Sequence, residues 1–129
     1  MEVLITGSRD WKNFKAMHAA LSALPKDTLL IHGDCRGADQ MAGLIAERIG
    51  LPKPRAYPAK WRIYGRGAGP RRNRQMLDEN PNISLVLAFH EDIGRSRGTR
   101  DMVRISEKRG IPVNNSGVVC IVTSGRGCQ

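Results

Sequence analysis

Residues 28–50 read TLLIHGDCRGADQMAGLIAERIG, and this stretch decides the fold. It opens on a β-type apolar run over residues 28–32, closed by Gly33, which is the pattern of a short buried strand. It ends on Ala38, Met41, Ala42, Ile45 and Ile49, a stripe at i, i+3, i+4 and i+7 spacing that stops at Gly50. That spacing predicts a helix burying one face, with glycine as its terminator. A strand that passes into a helix through one short glycine-rich turn is half of a βαβ unit.

The same alternation continues on both sides. Residues 2–6 are a short apolar run ending at Gly7, and Phe14, Met17, Leu21 and Leu24 then recur at helical spacing until Pro25. Downstream, residues 55–57 lie between prolines and read as a third strand, and residues 60–69 read as a basic, glycine-rich loop. Pro70 suits the first turn of a helix running to about residue 79. Residues 83–89 form a continuous apolar strand. A helix follows over 98–109, with Met102 and Ile105 inward and Gly110 as its stop, and residues 111–113 read as a fifth strand.

Strands alternating with helices predict an α/β fold: one Rossmann-like, doubly wound domain over residues 1–113, with a mainly parallel five-stranded sheet flanked by helices. The expected strand order is 3-2-1-4-5. Residues 114–129 break the alternation. Asn114 to Gly117 is turn chemistry and residues 118–122 are β-like, so the extension reads as a hairpin, an extra C-terminal edge strand, or a flexible tail. An exposed edge there would also suit pairing with a second subunit.

Composition narrows the class. The chain has 129 residues, 40% hydrophobic and 26% charged, as in an ordinary globular domain. Its longest apolar runs, residues 85–89 and 118–122, fall far short of the ~18–20 residues needed to cross a bilayer, so no membrane partner is expected. The N-terminus lacks a basic segment before a long apolar stretch, so a cytoplasmic location is expected. Three cysteines at irregular spacing fit neither a disulfide framework nor a Cys-x-x-Cys metal site. Neither metal nor cofactor is expected.

Charge is uneven. Residues 1–50 hold six basic and six acidic side chains, whereas residues 51–129 hold fifteen basic and six acidic and carry the whole +9 surplus. Within residues 53–74 there are eight basic side chains and no acid. Such a concentration points to an anionic partner.

In an open parallel sheet, ligands bind outside the carboxyl ends of the strands. Three strands here run into distinctive loops: Gly7-Ser8-Arg9 with Trp11 after strand one, Gly33 to Asp39 after strand two, and residues 90–99 after strand four. Each feeds a helix N-terminus, where free N–H groups and the dipole favour phosphate. Ser8 and Thr99 add hydroxyls, and Arg9, Arg36 and Arg97 add charge. Arg71, Arg72 and Arg74 sit in the first turns of a predicted helix, where the dipole disfavours cations unless an anion is near. Trp11, Trp61 and Tyr64 flank the loops as candidates for stacking on a base. Asp39 and Asp101 are the candidate catalytic acids. There is neither Gly-x-Gly-x-x-Gly nor Gly-x-x-x-x-Gly-Lys-Ser/Thr, so dinucleotide fingerprints and Walker-type ATPases lack their defining residues.

Four motifs carry a resemblance: Gly7-Ser8-Arg9, Gly33-x-x-x-Gly37-Ala38-Asp39, Gly69-Pro70-Arg71-Arg72-Asn73-x-x-Met76 and Gly98-Thr99-x-Asp101. In order and spacing they resemble the YspA/YpsA-related branch of the SLOG superfamily, which includes the LOG phosphoribohydrolases and the Smf/DprA DNA-processing proteins. The resemblance implies a Rossmann-like sheet binding nucleotides or nucleotide-derived ligands. It implies contacts from Gly7, Ser8 and Arg9, a second wall from Gly33, Gly37, Ala38 and Asp39, inward reach by Arg72 and Asn73, and a phosphate held by Gly98 and Thr99. It also implies a homodimer.

One departure bears on chemistry. LOG enzymes carry Pro-Gly-Gly-x-Gly-Thr-x-x-Glu, whereas here Arg95-Ser96-Arg97 precedes Gly98-Thr99 and Met102 stands at the glutamate position. The expectation is therefore a ligand-binding sensor or sequestering protein. A nucleotide N-glycosidase or phosphoribohydrolase is the alternative, and a nucleic-acid binder the third reading.

Overall fold

The computed structural model describes residues 1–91 and 96–115. The strands are β1 (Glu2–Gly7), β2 (Leu29–His32), β3 (Arg55–Ala56), β4 (Ile83–Phe89) and β5 (Val113–Asn115). The helices are α1 (Phe14–Ser22), α2 (Ala38–Ile49), α3 (Trp61–Tyr64), α4 (Ala68–Glu79) and α5 (Arg97–Lys108). All five strands are parallel, in the order β3-β2-β1-β4-β5. The expected α/β architecture and strand order are both observed.

β1 lies at the centre, and its side chains show why the sheet needs helices on both faces. Val3, Leu4 and Ile5 are all fully buried. Because successive strand residues point to opposite faces, Val3 and Ile5 join Met17 and Leu21 of α1 and Ala42 and Ile45 of α2 in one core. Leu4 instead joins Met76 and Leu77 of α4 and Met102 of α5 in the other. Burying each such side chain contributes roughly 1.5–3 kcal/mol, so two cores on one strand hold the layers together.

Two boundaries differ from the sequence reading. Residues 60–69 are not a continuous loop: Ile63 and Tyr64 N–H both donate to the Lys60 carbonyl, making the single turn of α3, and a 3-10 turn over Gly65–Gly67 leads into α4. The fifth strand is Val113–Asn115 rather than residues 111–113. Ile111 N–H closes the end of α5 on the Ser106 carbonyl, and Pro112, which has no N–H, offers only its carbonyl to Val86. Ladder pairing therefore starts at Val113, opposite Val86, and Asn114 and Asn115 belong to the strand rather than to a turn. The hairpin expected beyond them lies outside the described residues. No helix among the described residues is long and apolar enough to cross a membrane.

Candidate functional site

The β1 and β2 loops are locked together before any ligand is considered. Ser8 N–H donates to Phe89 O at 2.8 Å, and Ser8 O receives the N–H groups of Ala38, at 3.1 Å, and Trp11, at 3.2 Å. Gly37 caps α2 with φ +80°, and a Cβ there would lie 2.5 Å from the carbonyl oxygens of both Ser8 and Arg9. Only glycine permits that approach. The start of α2 is thus pressed against the β1 loop.

Beneath this junction lies a buried polar network. Asp39 Oδ2 accepts the N–H groups of Gly33, at 3.1 Å, and Cys35, at 3.3 Å. Its Oδ1 is buried without a partner. Burial pushes the Asp39 carboxyl up to about 6, although the two N–H bonds and Arg72 pull the other way. Arg72, only 8% exposed, donates from Nη1 to Gly33 O at 2.6 Å and to Tyr57 O at 3.2 Å, and from Nε to Asn73 Oδ1 at 3.0 Å. Asn73 in turn donates to Asp101 Oδ2 at 3.0 Å and to Gly98 O at 3.3 Å. Next to Gly33, the ring of His32 accepts the Asp34 N–H at Nδ1. Burial holds its pKa below the usual histidine value.

Above the network is an open pocket of about 320 Å³, lined by Arg9, Gly33, Asp34, Cys35, Arg36, Pro58, Ala59 and Trp61. The Arg9 guanidinium stands 5.8 Å from the centroid of the Trp61 ring. Arg36 is exposed, with only a 4.0 Å pairing to Asp10. Because Asp39 already holds the amides of Gly33 and Cys35, positive potential here comes chiefly from the arginine side chains.

The sequence-predicted residues divide into three groups. Arg9, Gly33 and Arg36 line the pocket, and Gly7, Ser8, Gly37, Ala38 and Asp39 belong to the junction of the β1 loop with the β2 loop and the start of α2. Arg72 and Asn73 lie in the buried network, and Asp101 is bound to Asn73 and, at 3.1 Å, to Arg104. The rest stand elsewhere. Trp11, 7% exposed, packs on Phe89 in the core with ring centroids 5.6 Å apart, so it presents no face for stacking. Arg71 lies over Tyr64 at 4.3 Å and lines a different surface hollow. Arg97, Gly98 and Thr99 start α5 and do not line the pocket. The Thr99 hydroxyl is buried, accepting from Ser96 at 2.6 Å. The β1 and β2 loops therefore meet at this pocket, together with Pro58, Ala59 and Trp61 of the β3–α3 segment, while residues 92–95 of the third predicted loop lie outside the described residues. Trp61 was legible as an aromatic among basic residues, whereas Pro58, Ala59, Asp34 and Cys35 gave no separate signal. Among the described residues no His, Cys, Asp and Glu cluster could hold a metal.

Residues 1–64 match the sequence model of the YspA, cpYpsA-related SLOG family. The Gene 61 protein of Mycobacterium phage D29 is 36% identical over 124 residues, covering 89% of this chain and 95% of that protein. Among solved structures, the DNA processing protein A (DprA) of Streptococcus pneumoniae aligns with a TM-score of 0.65 at 17% identity, over 96% of this chain and 52% of DprA. The chain thus spans about half of DprA, and the likeness is one of fold.

Proposed function

The chain belongs to the YspA, cpYpsA-related SLOG family, and on that footing we propose that its rim pocket binds a nucleotide or nucleotide-derived small molecule in a sensing or sequestering role. The observation that carries this reading is the convergence of Arg9, Arg36 and the half-exposed Trp61 on one hollow. Guanidinium groups offer charge-assisted, often paired hydrogen bonds to phosphate oxygens, and an indole face accepts a base by stacking. A pocket of about 320 Å³ is at the small end of ligand sites, which favours a mononucleotide-sized guest. Denaturing the purified protein and identifying released small molecules by mass spectrometry tests this. A phosphorylated nucleoside derivative is expected, and its loss from an Arg9→Ala, Arg36→Ala double variant would tie it to the pocket. A co-purifying anion retained by that variant would contradict the assignment.

A hydrolytic reading has one observation behind it, the Asp39 carboxyl whose pKa is raised to about 6 and whose Oδ2 holds the N–H groups of the pocket-lining Gly33 and Cys35. With Met102 at the LOG glutamate position, Asp39 is the residue an N-glycosidic cleavage would use. Chromatography of a nucleotide panel after incubation separates the readings, because binding without released base leaves the sensor role alone. A homodimer belongs to the same proposal, and light scattering of the purified protein tests it.

A further inference from the structure

Among the described residues, Asp34 is the one acid lining the rim pocket, where it stands with Arg9, Arg36 and Trp61. Its φ of +55° is also the one left-handed backbone at a non-glycine residue among those described. Glycine adopts that region freely, whereas aspartate does so at some cost. The Asp34 N–H donates to His32 Nδ1 at 3.0 Å, which ties this backbone to the buried end of β2. The carboxylate itself makes no hydrogen bond or ion pair to any described residue. Arg36, two residues on, pairs instead with Asp10 at 4.0 Å. An exposed acid is thus held in an arginine-lined hollow with its acceptor oxygens unused.

We propose, resting on the nucleotide reading of this pocket, that Asp34 selects the sugar of the guest. Its two carboxylate oxygens accept the 2′- and 3′-hydroxyls of a ribonucleoside 5′-phosphate whose phosphate lies on Arg9 and Arg36. A carboxylate repels phosphate, and when ionised it can only accept hydrogen bonds. Beside two arginines it therefore calls for a donor group on the same guest. A vicinal diol offers two O–H donors side by side, which match two acceptor oxygens. Asp34 shares the β2 loop with Arg36, so the donor it meets is close to the phosphate, where a nucleotide carries its sugar. Trp61, from the β3–α3 segment, is left for the base.

Titrating the common ribonucleoside 5′-monophosphates and their 2′-deoxy and 3′-deoxy forms into the full chain, followed by calorimetry, tests the proposal. Each ribonucleotide that binds should do so about 10–100-fold more tightly than its deoxy forms, as for a hydrogen bond to a charged group. Asp34→Gly keeps the left-handed backbone and removes the carboxylate. It should bring that ratio near one by weakening the ribonucleotides while leaving the deoxynucleotides as tight or tighter. Equal affinity for ribo- and deoxynucleotides in the wild type would overturn the proposal and leave the pocket reading in place. So would a ratio untouched in Asp34→Gly, or a parallel loss of both sets there, which marks a merely structural role. A preference for GMP and dGMP alike would also overturn it, because the carboxylate would then be reading the guanine edge. Arg9→Ala scores the pocket separately and should weaken ribo- and deoxynucleotides by the same factor. Absence of binding by every nucleotide would contradict the pocket assignment itself, and the sugar contact with it.

Discussion

Arg71 and Arg72 are adjacent in the chain and live in different regions of the molecule. Arg72 is buried in the floor beneath the rim pocket, where its guanidinium joins the β2 loop, the end of β3 and Asn73. Arg71 is on an outer ledge, stacked on an exposed tyrosine. One helical step of about 100° separates a structural brace from a surface cation. A run of basic residues is therefore not one electrostatic object: its buried member fixes the site's shape, and its exposed members supply the potential.

The contrast breaks first on stability. Arg72→Ala removes three N–H···O hydrogen bonds and two longer ones to the Cys35 sulfur, all made by a buried cation, and leaves the Gly33 and Tyr57 carbonyls without that donor, so a loss of about 3–5 kcal/mol is expected in urea unfolding. Arg71→Ala should change stability by less than about 1 kcal/mol. Equal losses in the two variants would erase the distinction between floor and ledge.

Next comes the junction that seats the floor. Gly37→Ala forces a Cβ into the Ser8 and Arg9 carbonyls at a backbone angle that L-residues avoid. A cost of about 3 kcal/mol is expected. Gly50→Ala, also at positive φ but with open space around it, should cost only the smaller backbone penalty. A thermal melt of both variants checks the order.

The floor should also give stability a pH dependence that the ledge lacks. Asp39 keeps its proton in the folded state up to about pH 6, whereas the unfolded chain releases it near pH 4. Between those values the folded state binds more protons, so stability falls as pH rises from about 4 to about 6, by up to about 3 kcal/mol. His32 works in the opposite direction: with its folded pKa depressed by burial, its contribution is present above pH 6.5 and is lost as pH falls from there through its lower folded-state value. Asp39→Asn should remove the first slope and leave the second, as read from unfolding free energies at several pH values.

Much of this architecture was legible in the sequence because it rests on local patterns. The continuous apolar runs of β1, β2 and β4 and the stripe of α2 state their burial directly, and glycines and prolines mark their ends. The short elements were not legible in the same way. The single turn of α3 rests on two hydrogen bonds to Lys60, and β5 begins where Pro112 permits pairing. Neither leaves a periodic signal. The site was half legible for a similar reason. Gly7, Gly33 and Gly37 announce close backbone approach, but which arginine of residues 71–74 turns inward depends on helix phase. Trp11 sits in a loop in the sequence and in the core of the fold because Phe89 lies across from it.

Calorimetric titration of nucleoside monophosphates and diphosphates into the wild-type protein and Arg9→Ala tests the central claim most directly. Saturable one-site binding by at least one nucleotide is predicted, weakened by about 1–3 kcal/mol in the variant, as loss of a charge-assisted bond requires. Affinity identical in the two proteins, or no heat with any nucleotide, would contradict it.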